Sequence, residues 1–517
     1  MKFTLKLSSL LLAILFLLSV FASCETINGN ETNGTQENKK ECAAHSDSDD
    51  NGLCDSCNVS LFIYIDFYAL NDLHGKFSDT SSNQGVDELT TYLKNTAFSD
   101  DNTVFLSSGD MWQGSSESNL TNGFIITEWM NELDFVSMTL GNHEYDWGEE
   151  IIADNEELAE FPFLAINIFD RATGERVDYC EPSVIVERNG IQIGIIGAIG
   201  DCYTSISSDK TKDIFFKVGD ELTDLVKAES ERLRSLGADY IVYSLHDGFG
   251  QNRNSETKVS ANQIKSYYDI ELSDGYVDLV FEGHTHQRYV LVDEYGVYHL
   301  QNGGENKGIS HIEIAINSIT YSSKTSYAEF VESSSYSYLN GDPLRDQLLN
   351  KYKDVISKGD EVLGEVKSYK DSTVIKRKVA ELYYKKGVEI WGEDYEIVLG
   401  GGFISTRSPY NLSAGKIKYS QLQSILPFDN QLVLCSIKGS DLKSKFFETD
   451  NSNYFIYFEG YGQIVKNSID PNATYYLITD TYTSTYSYNR LTEIERFDDG
   501  VFARDLLAEY IKNGGWE

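Results

Sequence analysis

The sequence predicts an α/β protein of more than one domain, and three observations carry that expectation. Short runs rich in Val, Ile, Phe and Tyr alternate with patterns of helical period, as strands and helices alternate in α/β folds. Five of these runs end in a small cluster of polar, potentially metal-ligating residues. The chain has 517 residues, which is more than one ordinary domain holds.

In the first half the strand candidates are Leu61–Leu70, Val104–Ser108, Phe135–Leu140, Tyr240–Leu245 and Val277–Phe281. Helical patterns lie between them at Val86–Phe98, Ile125–Leu133 and Glu221–Leu236. The last puts Leu222, Leu225, Val226, Leu233 and Leu236 broadly on one face. Asn189-Gly190 joins Val184–Glu187 to Ile191–Ile196 and is a strong hairpin signal. From Ser333 to Gly359 the chain becomes polar and then helical, with Leu344, Leu348, Leu349 and Tyr352. Strand candidates return at Glu396–Leu399, Leu432–Ile437 and Tyr475–Ile478. The expected division is a large domain over 61–335, a linker helix over 336–359 and a smaller α/β domain over 360–517. Polar Ser333–Asp342 is the expected hinge.

Hydrophobic residues make up 41% of the chain, enough for real cores. The formal charge of −38 argues against nucleic acid or an anionic membrane face as partner. An anionic substrate therefore needs a locally positive site. Lys2 and Lys6 followed by the apolar run Leu10–Phe21 read as a secretory signal over residues 1–23. Ala22-Ser23-Cys24 resembles a bacterial lipoprotein signal. That resemblance implies a cell-surface protein whose only membrane contact is a lipid on Cys24. Losing residues 1–23 removes two lysines and no acids, so −38 becomes −40.

Residues 24–60 join a solvated tether to a Cys/His/Asp-rich module over 42–58. Asp47, Asp49, Asn51, Gly52 and Asp55 have the spacing of a calcium loop, with Asn58 where a bidentate Glu belongs. Cys42, His45, Cys54 and Cys57 form a zinc-type set. A disulfide with an acidic turn is the third reading, and the local sequence does not separate the three. Cys180 and Cys202 flank a hairpin region, and a disulfide is one reading of that pair. Cys435, in the run Leu432–Ile437, reads as a buried small hydrophobe.

The five clusters carry the chemistry. Asp72 and His74 follow the first run, Asp110 the second, Asn142, His143 and Asp146 the third, His246 the fourth, and His284 and His286 the fifth. Ligands in α/β sheets bind beyond the carboxyl ends of strands, so five such ends can converge. Asp oxygens and neutral imidazoles suit hard or borderline dications, and a pair of ions needs a bridging carboxylate. Five of the chain's eight histidines fall in these clusters.

These blocks resemble the calcineurin-like metallophosphoesterases, with their D-x-H, GD, GNH-E/D, single H and GH-x-H segments. Gly109–Gly114 and Gly141–Gly148 are similar, more narrowly, to the secreted 5′-nucleotidase and UDP-sugar hydrolase group. The resemblance spans nearly all of residues 61–517. It implies a four-layer α/β/β/α catalytic sandwich and a C-terminal substrate-binding domain. It also implies one metal on Asp72, His74, Asp110 and His286, and a second on Asp110, Asn142, His246 and His284. Zn, Mn, Co, Mg and Fe all suit such a set. His143 and Asp146 match the catalytic dyad, Asp146 favouring the charged form of His143. Two dications, two aspartates and one hydroxide sum to about +1, which supplies the positive site. Metal-hydroxide attack on phosphorus then follows.

In the second domain, Gly400-Gly401-Gly402-Phe403 with Arg407 resembles a phosphate- or carboxylate-binding glycine segment, although Leu399 replaces its usual Asn. Pro427–Asn430 matches PF-x-N, which implies base stacking by Phe428 and a hydrogen bond from Asn430. The family's GGDGY segment is absent; Thr479–Tyr486 stands in its place, with Tyr482 as the expected second ring and Asp480 as a further ligand contact. The expected activity is removal of the 5′-phosphate from nucleoside monophosphates. The alternatives are a 2′,3′-cyclic nucleotide phosphodiesterase, a nucleotide-sugar or diphosphate hydrolase, and a nucleotide-binding surface lipoprotein without turnover. Oligomeric state is not readable from the sequence.

Overall fold

The computed structural model describes residues 44–79, 84–97, 101–248, 272, 274–407, 409–449, 452–459, 467–486, 489–497 and 502–516. The expected signal, the expected lipid site Cys24, the expected tether and Cys42 lie outside these residues. Among the described residues no helix is long and apolar enough to cross a membrane.

Two six-stranded sheets face each other. The first runs, edge to edge, Ser323–Glu332, Gly308–Asn317, Phe62–Leu70, Thr103–Ser107, Ser137–Thr139 and Phe163–Leu164. Its last four strands are parallel. The second runs Arg288–Val292, Tyr298–Asn302, Leu279–Glu282, Tyr240–His246, Ile191–Ile199 and Ser183–Arg188, with its middle four parallel. Period-2 alternation explains the stacking. Ile65, Phe67 and Ala69 face Val242, Leu279 and Phe281 across the inter-sheet core. Burying an aliphatic or aromatic side chain of this kind contributes about 1.5–3 kcal/mol.

Tyr68 and Leu70 point the other way, into a core with Leu89, Ile125 and Trp129 from the helices of that face. On the far face Ile196, Ile241 and Tyr243 pack on Leu222, Val226 and Leu233 of the helix Asp220–Ser235. The result is the four-layer α/β/β/α arrangement.

The hairpin at Asn189-Gly190 forms as expected, both residues having positive φ (50° and 84°), as a type I′ turn requires. Leu236 departs from expectation. It lies at the C-cap of its helix and is exposed, because the last turn ends before it can face the sheet. The Val86–Phe98 pattern divides into an α-helix Asp87–Tyr92 and a π-helical turn Leu93–Ala97. No Cys180–Cys202 disulfide forms. Both thiols are free and buried, Cys202 Sγ donating to the His246 carbonyl at 2.9 Å and Cys180 Sγ to that of Ala165 at 3.7 Å.

The Ser333–Asp342 segment is anchored where a hinge was expected. Tyr336 is fully buried and stacks on Tyr92, and the Asp342 amide donates to the Asp87 carbonyl. Leu344 and Leu348 continue the same core.

The C-terminal sheet runs Tyr454–Tyr457, Ile397–Phe403, Thr474–Asp480, Leu432–Lys438 and Thr492–Arg496. Its core joins Ile375, Val379 and Tyr383 of the helix Ser372–Trp391 to Ile478 and Leu434. Cys435 is fully buried, as its apolar run implies.

Candidate metal centre

Three parallel strands of the first sheet and two of the second end at one place. Each parallel strand presents its carboxyl end there, so Asp72, His74, Asp110, Asn142, His143, His246, His284 and His286 come together. Five of them, Asp72, His74, Asp110, His284 and His286, hold φ between 50° and 67°. L-residues in this left-handed region cost of order 1–3 kcal/mol each. The chain turns back sharply at three of the five strand ends, those carrying Asp72, Asp110 and His284, to aim these side chains inward. Gly141 is required there, since a Cβ would collide with Asp110 Oδ1. A Cβ on Gly109, whose φ is 89°, would sit 2.7 Å from His246 Nδ1.

Hydrogen bonds orient the rings. His74 donates through Nδ1 to the Gln113 carbonyl at 2.8 Å, and His246 through Nδ1 to that of Ser108 at 2.6 Å. Both Nε2 atoms are thereby turned into the centre, the arrangement that metal-ligating histidines use. His74 Nε2 lies 3.0 Å from His286 Nε2, and His286 Nε2 lies 3.3 Å from Asp72 Oδ1. His246 Nε2 lies 3.2 Å from Asp110 Oδ2. Asn142 Oδ1 is 2.8 Å from His284 Nδ1 and 3.3 Å from His246 Nε2. The donor atoms of Asp72, His74 and His286, and those of Asp72, Asp110 and His246, lie within 4.8 Å of one another. Buried carboxylate oxygens and imidazole nitrogens at these separations fit divalent cations.

The electrostatics agree. Burial raises the Asp110 carboxyl, but the imidazoles of His246 and His143 hold it well below its ordinary value. Asp72 is likewise lowered against its burial, by His286 above all. Burial works against a charge on His246, yet Asp110 and Asp72 draw it up to about 10. Burial and His286 push His74 well below its ordinary value. Two buried carboxylates thus demand positive charge from whatever lies between them.

His143 sits beside this set. Its backbone N–H donates to Asp110 Oδ1 at 2.8 Å, and its Nδ1 to Asp146 Oδ2 at 2.8 Å. Burial lowers His143, but Asp146 and Asp110 outweigh it and raise the ring above its usual value. On the other side Arg407 Nη2 donates to His143 Nε2 at 2.7 Å, while Arg407 Nε is buried without a partner. The two domains therefore meet at this ring.

A cavity of 390 Å³ opens from the centre between the domains. Asn142, His143, Asp146 and His284 line one side, and Arg407, Phe428, Asn430 and Tyr482 the other. Phe428 packs 5.4 Å from the Arg407 guanidinium and 5.9 Å from the His143 ring. Tyr482 pairs with Phe403 at 5.5 Å, not with Phe428. Asp480 is occupied by the fold: Thr483 N donates to one oxygen and the Tyr383 hydroxyl to the other.

Several lining residues had no individual signal in the sequence. Ser205, Ser207 and Lys210 reach the cavity only through the packing of distant loops. Glu144 was visible inside the third cluster but not its task. It is fully buried and accepts from the amides of Asp110, Met111 and Gly141, which ties two strand ends together. Burial and Asp110 raise its carboxyl to about 7.

Comparison with known proteins agrees with this geometry. The calcineurin-like phosphoesterase family profile matches residues 65–288. Protein UshA of Yersinia enterocolitica is 24% identical over 496 residues, covering 85% of each chain. A putative 5′-nucleotidase from Staphylococcus aureus superposes with a TM-score of 0.68 at 16% identity, over 88% of this chain and 98% of the other. A 5′-nucleotidase precursor from Thermus thermophilus gives 0.65 at 18% identity, over 87% and 96%. Residues 65–288, which hold all five strand-end clusters, are a calcineurin-like phosphoesterase domain, and the chain as a whole has the two-domain fold of the 5′-nucleotidase structures.

Proposed function

We propose that this chain is a phosphoric monoester hydrolase that removes the 5′-phosphate from nucleoside monophosphates at the cell surface. The observation that carries the reading is the position of His143, between Asp146 and Arg407, at the mouth of a cavity with aromatic walls. The family resemblance and the signal-like residues 1–24 support the class of reaction and the location.

Asp72, His74, Asp110 and His286 would hold one divalent ion, and Asp110, Asn142, His246 and His284 the second. Bound there, the ions supply positive charge for phosphoryl oxygens and lower the pKa of water. The remaining work belongs to the chain. Arg407, with a free buried Nε, binds phosphate oxygens. His143 stabilises the transferring group or protonates the leaving alkoxide, and Asp146 fixes its ring and favours its charge. Phe428 and Tyr482 hold the base by stacking, and Asn430 reaches its edge. The catalytic domain is 61–335. The linker 336–359 rides on it through Leu344 and Leu348, and 360–517 selects the substrate.

The test is phosphate release by purified protein from nucleoside monophosphates, cyclic nucleotides and nucleotide sugars, each with Mn²⁺, Co²⁺ or Zn²⁺. Fastest release from 5′-monophosphates is expected, and chelation abolishes it. No phosphate from any nucleotide with any of these metals would sink the reading.

A further inference from the structure

We propose that His45, Cys54 and Cys57 bind a zinc ion that fastens the N-terminal segment to the catalytic domain, at a site separate from the catalytic centre. The donor atoms of these three residues lie within 4.8 Å of one another. Cys57 Sγ is 3.6 Å from His45 Nδ1. Sulfur and nitrogen on a tetrahedral zinc, at bond lengths of about 2.3 and about 2.1 Å, are separated by about 3.6 Å. Cys54-x2-Cys57 is the spacing that places both sulfurs on one ion, and the backbone is folded for it. The Asn58 amide donates to the Cys54 carbonyl and the Cys54 amide to that of Val59, which closes a tight knuckle.

The same loop argues against calcium. The side chains with calcium-loop spacing face donors of the protein. Asp47 accepts from the amides of Asn51 and Gly52 and from Asn317 Nδ2. Asn51 Oδ1 accepts from Leu53 N, Asp49 Oδ2 from Asn51 Nδ2 and Asp55 Oδ2 from Ser48 N. These carboxylates build the loop and attach it. Asp50 accepts from Thr320 and Ser322, both at 2.6 Å, in the turn between Gly308–Asn317 and Ser323–Glu332 of the first sheet. Cys54, Cys57 and His45 are the soft donors of the loop.

The placement indicates the purpose. The loop leads into Phe62, the start of the strand whose other end carries Asp72. Nine residues of strand separate the two ends, about 30 Å at about 3.3 Å per residue. Zinc binding displaces to solvent whatever thiol protons remain and ties the loop shut. The ion is thus a structural clip at the point where the tether meets the domain.

The test uses the full chain, reduced, stripped of metal and titrated with Co²⁺. Cys202 lies with His246 and His284 at the catalytic centre and is unchanged in a Cys57 variant, so the part of the thiolate-to-cobalt charge-transfer absorption that Cys57→Ser removes reports the clip. The absorption is expected in the wild type and lost in Cys57→Ser, whose zinc content falls by one ion per chain. Cys57→His should keep that ion with weaker absorption. Nucleotide hydrolysis should stay within about twofold in both variants, as surface changes remote from a site usually allow. Unchanged absorption in Cys57→Ser, calcium binding without thiolate absorption in the wild type, or a Cys54–Cys57 disulfide in the protein as isolated would overturn the proposal.

Discussion

Arg407 of the C-terminal domain donates from Nη2 to Nε2 of His143 at 2.7 Å, so a cation of one domain sits on the lone pair of an imidazole of the other. His143 takes up a proton at Nε2 only when Arg407 turns to another acceptor. A substrate phosphate is such an acceptor. In the proposed reading, binding and protonation are thereby coupled across the domain boundary.

Arg407→Ala should lower kcat/KM for nucleoside monophosphates by about 10- to 100-fold, the loss expected for one charge-assisted hydrogen bond of about 1.5–3 kcal/mol. Arg407 also opposes the charge on His143, so its removal should raise the pKa of that ring. The alkaline limb of kcat against pH then moves to higher pH. A profile that does not move would separate Arg407 from the His143 proton.

Asp146→Asn should act in the opposite direction. Burial lowers His143, and Asp146 is the leading influence that raises it. Without the carboxylate the ring loses its proton at lower pH, and the alkaline limb moves down. His143→Ala should cost roughly 10²- to 10⁴-fold in kcat, the usual worth of a positioned acid or base. Steady-state kinetics over a pH series reads both effects.

The cavity walls predict a split between substrates. Tyr482→Ala or Phe428→Ala should raise KM for nucleoside monophosphates between about 5- and 100-fold, since base–aromatic stacking contributes about 1–3 kcal/mol. Hydrolysis of glycerol phosphate, which has no base, should change little. Phe403→Ala should resemble Tyr482→Ala, because Phe403 supports that ring at 5.5 Å. Equal losses for both kinds of substrate would show that these rings serve the fold and not the base.

Stability has a pH dependence away from the centre. His299 is buried, which disfavours its charge, but Asp293 and Glu282 raise it to about 9. Nε2 lies 3.3 Å from Asp293 Oδ2 and Nδ1 3.7 Å from Glu282 Oε1. A raised histidine stabilises the fold fully below its unfolded pKa of about 6.5 and loses that contribution as pH rises through about 9. The contribution is up to about 3 kcal/mol by linkage. Urea unfolding of wild type and His299→Gln should differ most in mild acid and converge in alkali.

The five strand-end clusters were legible because parallel strands in α/β sheets bring their carboxyl ends to one place, and because Asp, Asn and His beside Gly are readable one by one. The four-layer fold followed from the family resemblance of those clusters. The anchoring of the expected hinge segment was not legible, because polarity describes solvent preference while Tyr336, Leu344 and Leu348, its minority of apolar residues, join the buried core. The Cys180–Cys202 pairing was equally open to error, since proximity in sequence order says nothing about which carbonyl a thiol meets.

Residue type, local spacing and the family resemblance they carry were thus enough to name the reaction class and the Asp, Asn and His residues that the fold brings together, and left the readings of residues 42–58 open. Tertiary structure alone decided that Arg407 rests on His143, that Phe403 backs Tyr482, that Glu144 ties two strand ends, and that Asp47 and Asp50 bind the Asn317–Ser322 turn. The physical reason is range. Ligand chemistry and turn geometry are encoded within a few neighbouring residues, whereas contacts between strands and domains depend on register and packing set by the whole buried core.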